Sequence, residues 1–445
     1  MIQDRFTSAM AALGPFERAP RLAVAVSGGS DSLALALLAA SWARGRGGDV
    51  VALTVDHRLR PGSAAEAEQA GRWLAAWGVE HHILAWLESD AGPGLQAAAR
   101  AARYGLLTGW CRDHHILHLL LGHQRDDQAE TLMLRLARGS GVDGLAAMAP
   151  CAAHNDVQLL RPLLDSPREA LRDYLREQGQ DWIEDPSNEA ERFDRVRWRK
   201  FLAEERIPAE RLALTARQLG RARQALETES AALAAEAVTA RGSGYAELDP
   251  ALLAAAPDEV ALRLLAALAR TIGGGAFPPR LDGLERMLDA LRTGLDRRRT
   301  FAGCVFAPRK EDGVLVYREA AKMAPPIVLQ AGRDGLWDNR FSVRLAEGQG
   351  EGDGDGDGQG QVMTWGALGV DAARDFREAA EMRGIPRAVL PTLPALMDKR
   401  GILAVPPLGW QAAESGPPID RWGFTPGFPL AGAGFRLVTT PARII

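Results

Sequence analysis

Two serines, two glycines, an acid and a third serine occupy the six positions SGGSDS (27–32), and a second cluster, HQRDDQAETLMLRLARGSG (123–141), concentrates acids and arginines. The first run has the residue types that hold a phosphate. Gly28 and Gly29 permit positive φ and close backbone approach, while Ser30, Asp31 and Ser32 are helix-entry residues. The first amides of a helix are unpaired and lie at the positive end of its dipole, so Ser27 to Ser32 form an expected anion cradle. The lysine that follows the last glycine of a Walker A loop is absent, which argues against that motif's β/γ-phosphate grip. In the second run Asp127 and Glu130 are three apart and share one face of a helix, with Arg135 and Arg138 a turn or two beyond. Such acids suit magnesium or an amine, and such arginines suit an anionic backbone. The helix dipole by itself also favours acids early and arginines late, so a purely structural reading stays open.

The elements that must position these clusters follow from periodicity. Residues 22–26 are a short apolar run suited to a strand buried on both faces of a parallel sheet, and the apolar run after SGGSDS reads as a helix. VVALTVDH (50–57), HHILAWL (81–87) and HILHLLLG (115–122) supply three more strands. Between them lie a helix with a capping-box start at Ser63-Ala-Ala-Glu66, reaching Trp77, and an alanine-rich helix over 95–111; a further helix covers about 126–137. Four strands alternating with helices predict right-handed βαβ units in an open parallel sheet, whose ligands bind beyond the carboxyl ends of the strands. Both clusters fall at those ends, as do Asp56, His57 and His123.

At 445 residues the chain exceeds one ordinary core, which predicts two or three domains. A net charge of −4 excludes a surface of uniformly positive potential and confines nucleic-acid contact to local patches. One such patch is 192–223, with ten basic residues against four acids, Arg195 and Arg197 among them. The three cysteines, Cys111, Cys151 and Cys304, form no C-x-x-C pair, which fits a reducing, cytoplasmic setting; the N-terminal twenty residues lack a long apolar core, and no membrane association is expected.

SGGSDS after a strand resembles the PP-loop of the N-type ATP pyrophosphatases. Together with TVDHRLRPGSAAEA, ARAARY (99–104), HQRDDQAETLMLRLARGSGVDGL, RPLL (161–164) and EDPSN (184–188), in that order, it resembles the tRNA(Ile)-lysidine synthase family. The likeness weakens after about residue 200 but persists in RRRTFAGCVF and IPRAVLPTLPALMDKRGILAVPPLG. That family usually reads A-H-H-x-D-D-Q where this chain has Gly122-His123-Gln124-Arg125, which removes the second histidine. The resemblance implies an ATP-dependent ligase that adenylates the wobble cytidine of the CAU-anticodon isoleucine tRNA and then ligates lysine to it. ATP and Mg2+ are the implied cofactors, tRNA and free lysine the implied partners, and a homodimer is left open. It also implies that Ser27, Gly28, Gly29, Ser30, Asp31, Ser32, His57 and His123 meet the nucleotide. Asp56, Arg103, Asp127 and Glu130 would hold lysine, with Asp31 and Glu130 near magnesium. Arg135, Arg138, Asn188, Arg195 and Arg197 would face RNA. A PP-loop tRNA thiolase, GMP and NAD synthetases and a non-catalytic nucleotide-sensing RNA-binding module share parts of this pattern.

The expected organisation is a doubly wound α/β catalytic domain over 1–214, a mainly helical domain over 215–323 with strands from residue 300 to 317, and a small α+β domain over 324–445 interrupted by the loop EGDGDGDGQGQ (351–361). Three features there and upstream remain ambiguous. Arg297, Arg298 and Arg299 suit either tRNA phosphate or a turn; Trp365, Trp410 and Trp422 suit either base stacking or a core; and His114 with His118, four apart, are expected on one face of a strand.

Overall fold

The computed structural model describes residues 1–58, 62–86, 95–154, 156–184, 194–309, 313–346, 362–412 and 419–430. They form two compact units, Met1–Ala225 and the described part of Leu226–Gly432. In the first, α1 (Ile2–Leu13) precedes β1 (Arg21–Ala25), α2 (Ser30–Arg44), β2 (Asp49–Asp56), α3 (Ser63–Ala76), β3 (Glu80–Ala85), α4 (Leu95–Asp113), β4 (His118–Leu121) and α5 (Arg125–Leu136). After these come α6 (Val142–Leu145), β5 (Cys151–His154), β6 (Val157–Leu160), α7 (Arg168–Glu177), α8 (Asp194–Glu204) and α9 (Ala209–Ala237), the last crossing the division between units.

The sheet order is β3-β2-β1-β4-β6-β5, parallel throughout except for the β5–β6 hairpin. Strand alternation divides the apolar residues between two layers. Leu22, Val24 and Val26 join the α2 leucines and Leu171, Tyr174 and Leu175 of α7 in one core; Ala23, Ala25, Val51 and Leu53 face Leu107 and Cys111 of α4 in the other. Each large buried side chain contributes on the order of 1.5–3 kcal/mol, which makes this sheet a rigid platform. Since β2 and β4 flank β1 on opposite sides, the strand order reverses at β1, and the loops after β1 and β4 open a crevice between them.

The expected alternation of four strands and helices is present, but the sheet has six strands. The β5–β6 pair escaped the periodicity reading because each strand has only four residues. Two other expectations change. Gly62, not Ser63, is the N-cap of α3 and is left-handed at φ 92°, and no side-chain bond caps that helix. His114 follows the end of α4 and stacks on Trp110 at 3.7 Å, whereas His118 begins β4, so a turn separates them and they share no strand face.

In the second unit β7 (Val238–Arg241) and β8 (Tyr245–Leu248) lead to α10 (Pro250–Ala255), α11 (Asp258–Gly273) and α12 (Leu281–Arg292), then β9 (Arg299–Phe301), β10 (Cys304–Pro308) and β11 (Val314–Arg318). The strands make one antiparallel sheet, β7-β8-β11-β10-β9, against which the three helices bury Leu253, Leu264, Leu265, Leu268, Leu284 and Leu288. The hairpin β7–β8 lies in a stretch expected to be helical, since VTARGSGYAEL is too short to show a period of two. Beyond it β12 (Ile327–Leu329), β13 (Asp334–Trp337), β14 (Phe341–Leu345), β15 (Met363–Ala367), β16 (Pro394–Asp398), β17 (Gly401–Val405), β18 (Trp410–Gln411) and β19 (Ile419–Phe424) form two more antiparallel sheets, β12-β15-β16-β17-β18 and β13-β14-β19. Asp338 is buried between two arginines, accepting from Arg318 Nε and Arg340 Nε at 2.8 Å each, and also accepts the Ala324 amide at 3.0 Å. Trp365 is fully buried in this core, which removes it as a base-stacking residue. The loop at 351–361 lies outside the described residues.

Candidate active site

The turn after β1 is shaped by its serines. Ser32, in the first turn of α2, uses its hydroxyl to accept the Ser27 amide at 3.1 Å and to donate to the Gly29 carbonyl at 3.0 Å. Gly29 is the N-cap with no side-chain cap bond, so the leading amides of α2 are left for a ligand rather than consumed by a cap. Gly28 has φ 84° and its carbonyl accepts the Ile183 amide at 2.9 Å; a Cβ there would lie 2.7 Å from Ile183 Cδ1. Any other residue at position 28 would strain the turn and displace Ile183.

Close approach at Gly122 brings the second cluster to this turn. A Cβ on Gly122 would sit 3.2 Å from the Asp31 backbone, so the exit of β4 lies directly against the start of α2. Gln124 then caps α5: its Oε1 accepts the Asp126 amide at 2.6 Å, while Asp127 Oδ2 accepts the Gln124 amide at 3.0 Å. The residue that departs from the family pattern is thus fully buried and holds Asp127 in a reciprocal cap.

Arg168, at the start of α7, joins the two clusters. Its Nε lies 3.6 Å from Asp31 Oδ2 and its Nη2 lies 3.8 Å from Asp127 Oδ1. About a turn further into α5, Glu130 is 1% exposed and accepts from Arg199 Nε of α8 at 2.7 Å. Its Oε2 is buried and has no hydrogen-bond partner among the described residues. Burial raises the proton affinity of Asp31, opposed by Arg168 and reinforced by the neighbouring Asp127. Burial likewise raises that of Glu130, opposed by its bond to Arg199 and reinforced by Asp127. Three carboxylates and two guanidinium groups therefore form one electrostatically coupled set, with Asp127 central to it.

Asp31 provides a direct check on this electrostatics. A carboxyl whose folded proton affinity exceeds its unfolded one contributes stability that is present below the unfolded pKa and is lost as pH rises through the folded value. At neutral pH the ionised Asp31 therefore costs the free protein stability. Asp31→Asn is expected to raise the melting temperature at pH 7, by an amount corresponding to about 1 kcal/mol, with the advantage shrinking toward pH 4. Thermal unfolding of both proteins across that range would show it, and a variant less stable at pH 7 than at pH 4 relative to the parent would contradict the sign.

At the neighbouring exit of β2, Asp56 is buried and engaged. Its Oδ1 accepts the Ser63 hydroxyl at 2.7 Å and the Arg58 amide at 3.0 Å. Burial opposes its charge, but these bonds, with Arg58 and His57 nearby, outweigh burial and hold the carboxyl below its ordinary range. His57 packs edge-on to Trp86, ring centres 5.9 Å apart, and burial with the Arg103 guanidinium keeps its imidazole neutral at physiological pH. Arg103 itself is exposed on α4. His123 directly follows the β4 exit and is half-buried. Arg135, Arg138 and Arg197 are exposed; the Arg195 side chain and Asn188 lie outside the described residues.

The sequence has counterparts among known proteins. The family described as a PP-loop domain matches residues 2–206. A tRNA(Ile)-lysidine synthase of Ruegeria pomeroyi is 40% identical over 405 residues, covering 89% of this chain and 92% of that protein. The chain belongs to the tRNA(Ile)-lysidine synthase family. Relatives bearing the same description in Orientia tsutsugamushi and Rhizobium meliloti are 32% and 37% identical, covering 77% and 73% of this chain and 79% and 73% of their own lengths. Among solved structures, a U34-tRNA thiolase of Methanococcus maripaludis aligns with a TM-score of 0.43 at 17% identity, over 49% of this chain and 78% of that one.

For a lysidine synthase family member, two residues central to the site carried no sequence signal as such. Arg168 lies four residues past RPLL in an ordinary helix start, and Arg199 is one arginine of many in a basic stretch. The thiolase alternative meets a physical obstacle at two of the three cysteines. Cys111 and Cys304 are buried, burial pushing each thiol up to about 12, so neither is a ready sulfur nucleophile. No helix among the described residues is long and apolar enough to cross a membrane.

The oxygen-only character of Asp31 and Asp127, beside free helix amides, fits magnesium with ATP phosphates. Glu130 fits less well as a metal ligand, since one of its oxygens already faces Arg199. Asp127, which shares Arg168 with Asp31, is the better fit to a divalent cation of the two.

Proposed function

We infer that this protein is an ATP-dependent ligase that joins lysine to C2 of the wobble cytidine in CAU-anticodon isoleucine tRNA, through an adenylated cytidine, with release of pyrophosphate and AMP. The observation that carries the reading of the site is Arg168, which bridges the phosphate turn and the α5 acids through Asp31 and Asp127. It joins the place where ATP is activated to the place where an amine is received.

The turn at Ser27 to Ser32 receives ATP phosphates on the leading amides of α2, and neutral His57 and half-buried His123 border the nucleotide. Asp31 and Asp127 would hold magnesium, which would neutralise phosphate charge. The cytidine C2 oxygen attacks the α-phosphorus and pyrophosphate leaves; Arg168 and the amides stabilise charge that grows on the α-phosphate oxygens. Lysine then enters. Its free ammonium has a pKa near ~10.4, so attack on C2 requires a group that removes a proton. Glu130 suits that role, because burial raises its affinity for protons and its unpartnered Oε2 is an acceptor for an ammonium donor. Arg103, exposed without an acidic partner among the described residues, receives the lysine carboxylate. Asp56, tied to Ser63 and Arg58 and held ionised, contributes negative potential and shapes the turn rather than exchanging a proton. Attack of the neutral amine on C2 expels AMP.

Exposed Arg135, Arg138 and Arg197 line the approach of the RNA, Arg195 and Asn188 are assigned to RNA contact on the family resemblance alone, and 215–323 and 324–445 serve as its docking domains. Free lysine, ATP and tRNA place the reaction in the cytoplasm. The test is incubation of the purified protein with ATP, radiolabelled lysine and the CAU-anticodon isoleucine tRNA. Label is expected to enter that tRNA and not the same tRNA with uridine at the wobble position; equal labelling of both, or of neither, would refute the reading.

A further inference from the structure

Ile183 reaches the phosphate turn from far downstream in the sequence. Its amide donates to the Gly28 carbonyl at 2.9 Å, and its side chain lies so near that a Cβ on Gly28 would be 2.7 Å from its Cδ1. The same Cβ would be 3.7 Å from Ala70 Cβ of α3, so Gly28 is held between that helix and residue 183.

The stretch that carries Ile183 is itself braced. Gln180 is buried; its Oε1 accepts the Trp77 indole N–H at 2.9 Å and its Nε2 donates to the Asp181 carbonyl at 2.7 Å. The Trp182 indole donates to Glu184 Oε1 at 2.7 Å, and Arg172 Nη2 of α7 donates to the same oxygen at 3.1 Å. Side chains thus fasten residues 180–184 to the end of α3 and to α7, and the Ile183 amide is presented at a fixed place.

That bond governs a neighbouring donor. In a trans peptide the C=O and the N–H point in opposite directions, so a Gly28 carbonyl held on Ile183 turns the Gly29 N–H away from residue 183. The hold is needed because glycine is the most freely rotating residue in the chain, and Gly28 sits at φ 84°. The Ser32 hydroxyl, which organises the rest of the turn, engages the Ser27 amide and the Gly29 carbonyl, the groups on either side of the Gly28–Gly29 peptide unit. Orientation of the unit between them falls to Ile183.

We propose that Ile183 is a positioning residue for the nucleotide: its amide locks the Gly28–Gly29 peptide so that the Gly29 N–H joins the leading amides of α2 as a phosphate donor. The lock rests on the reading of the turn as an ATP site and names the group that sets its geometry. Phosphate on the Gly29 N–H polarises the shared peptide and strengthens the bond from Ile183, so the two interactions support each other in both directions.

The test is amide hydrogen exchange at Ile183 in the full chain, with and without a non-hydrolysable ATP analogue and magnesium. Calorimetry alongside it measures analogue affinity for the parent, Ile183→Val and Ile183→Pro. Saturating analogue is expected to slow exchange at Ile183 about tenfold. The valine variant keeps the amide and is expected to keep the parent's affinity, whereas the proline variant has no N–H and is expected to lose about tenfold, the worth of one hydrogen bond. Analogue binding by the parent with unchanged exchange at Ile183, or a folded proline variant with the parent's affinity, would overturn the lock and leave the ATP site standing. If the proline variant does not fold, the exchange measurement on the parent decides. A parent that binds no analogue would overturn the ATP site and the lock together.

Discussion

Asp127→Asn is expected to suppress cytidine adenylation by about 10²–10³-fold, with no adenylated tRNA accumulating, whereas Glu130→Gln is expected to permit adenylation and stall lysine attack so that adenylated tRNA builds up. The contrast follows from where the two side chains lie. Asp127 Oδ2 accepts the Gln124 amide, a bond that an asparagine carbonyl can keep, so the α5 cap survives and the loss is one of charge beside Arg168 and Asp31. That charge is the one facing the phosphate turn. Glu130 is a turn deeper, held by Arg199, with an open acceptor oxygen for the incoming amine. Single-turnover reactions with α-labelled ATP, resolved for adenylated and lysylated tRNA, separate the two. Accumulation of the intermediate by the Asp127 variant and not by the Glu130 variant would exchange their roles. Normal lysidine formation by the combined variant would remove both from the mechanism.

Arg199→Ala is expected to destabilise the first unit by about 2 kcal/mol at neutral pH. Removing one partner of a fully buried pair costs about 3–5 kcal/mol, and the smaller figure reflects that the Arg199 side chain is 37% exposed while Glu130 is almost fully enclosed. The pH dependence has a definite sign. Burial already raises the proton affinity of Glu130, and loss of the opposing guanidinium raises it further. Once Glu130 is protonated the missing partner matters little, so the gap between parent and variant should narrow toward acid pH and widen as pH rises through the folded pKa. Adding Glu130→Gln to Arg199→Ala should restore most of the lost stability, since no buried charge is left unpaired. Thermal unfolding of the four proteins of this cycle over pH 4–8 measures it; a constant, pH-independent loss would mean that Arg199 acts through packing instead.

Both results depend on side chains that meet across long stretches of chain, and this divides what could be read in advance from what could not. The PP-loop was legible because its determinants are contiguous: a buried strand, two glycines and the first turn of a helix lie within twenty residues. The open parallel sheet was legible in outline, since alternating short apolar runs and helices imply parallel crossovers whose loops open at one edge, whereas the strand order with its reversal at β1 came only from the structure. That is why Asp31, Asp127 and Glu130 could be named together without coordinates.

The partners of those acids were not legible. Arg168 reaches Asp31 only because the start of α7 docks against the start of α5, where the Arg125 amide donates to the Ser166 carbonyl at 3.0 Å and the Arg168 amide donates to Asp126 Oδ2 at 3.2 Å. Arg199 meets Glu130 sixty-nine residues away through the packing of α8 on α5. Ser63 looked like a helix cap from its local pattern, yet the proximity of β2 drew its hydroxyl to Asp56. Gln124 broke a motif and proved to cap the helix that carries Asp127. The sequence alone determined the phosphate turn, the parallel platform and the identity of the acids, because local backbone preference and apolar periodicity are encoded in neighbouring residues. Tertiary structure decided which cation faces which acid and which acid keeps a free oxygen, because charge pairing falls off within a few ångströms and depends on how distant helices dock.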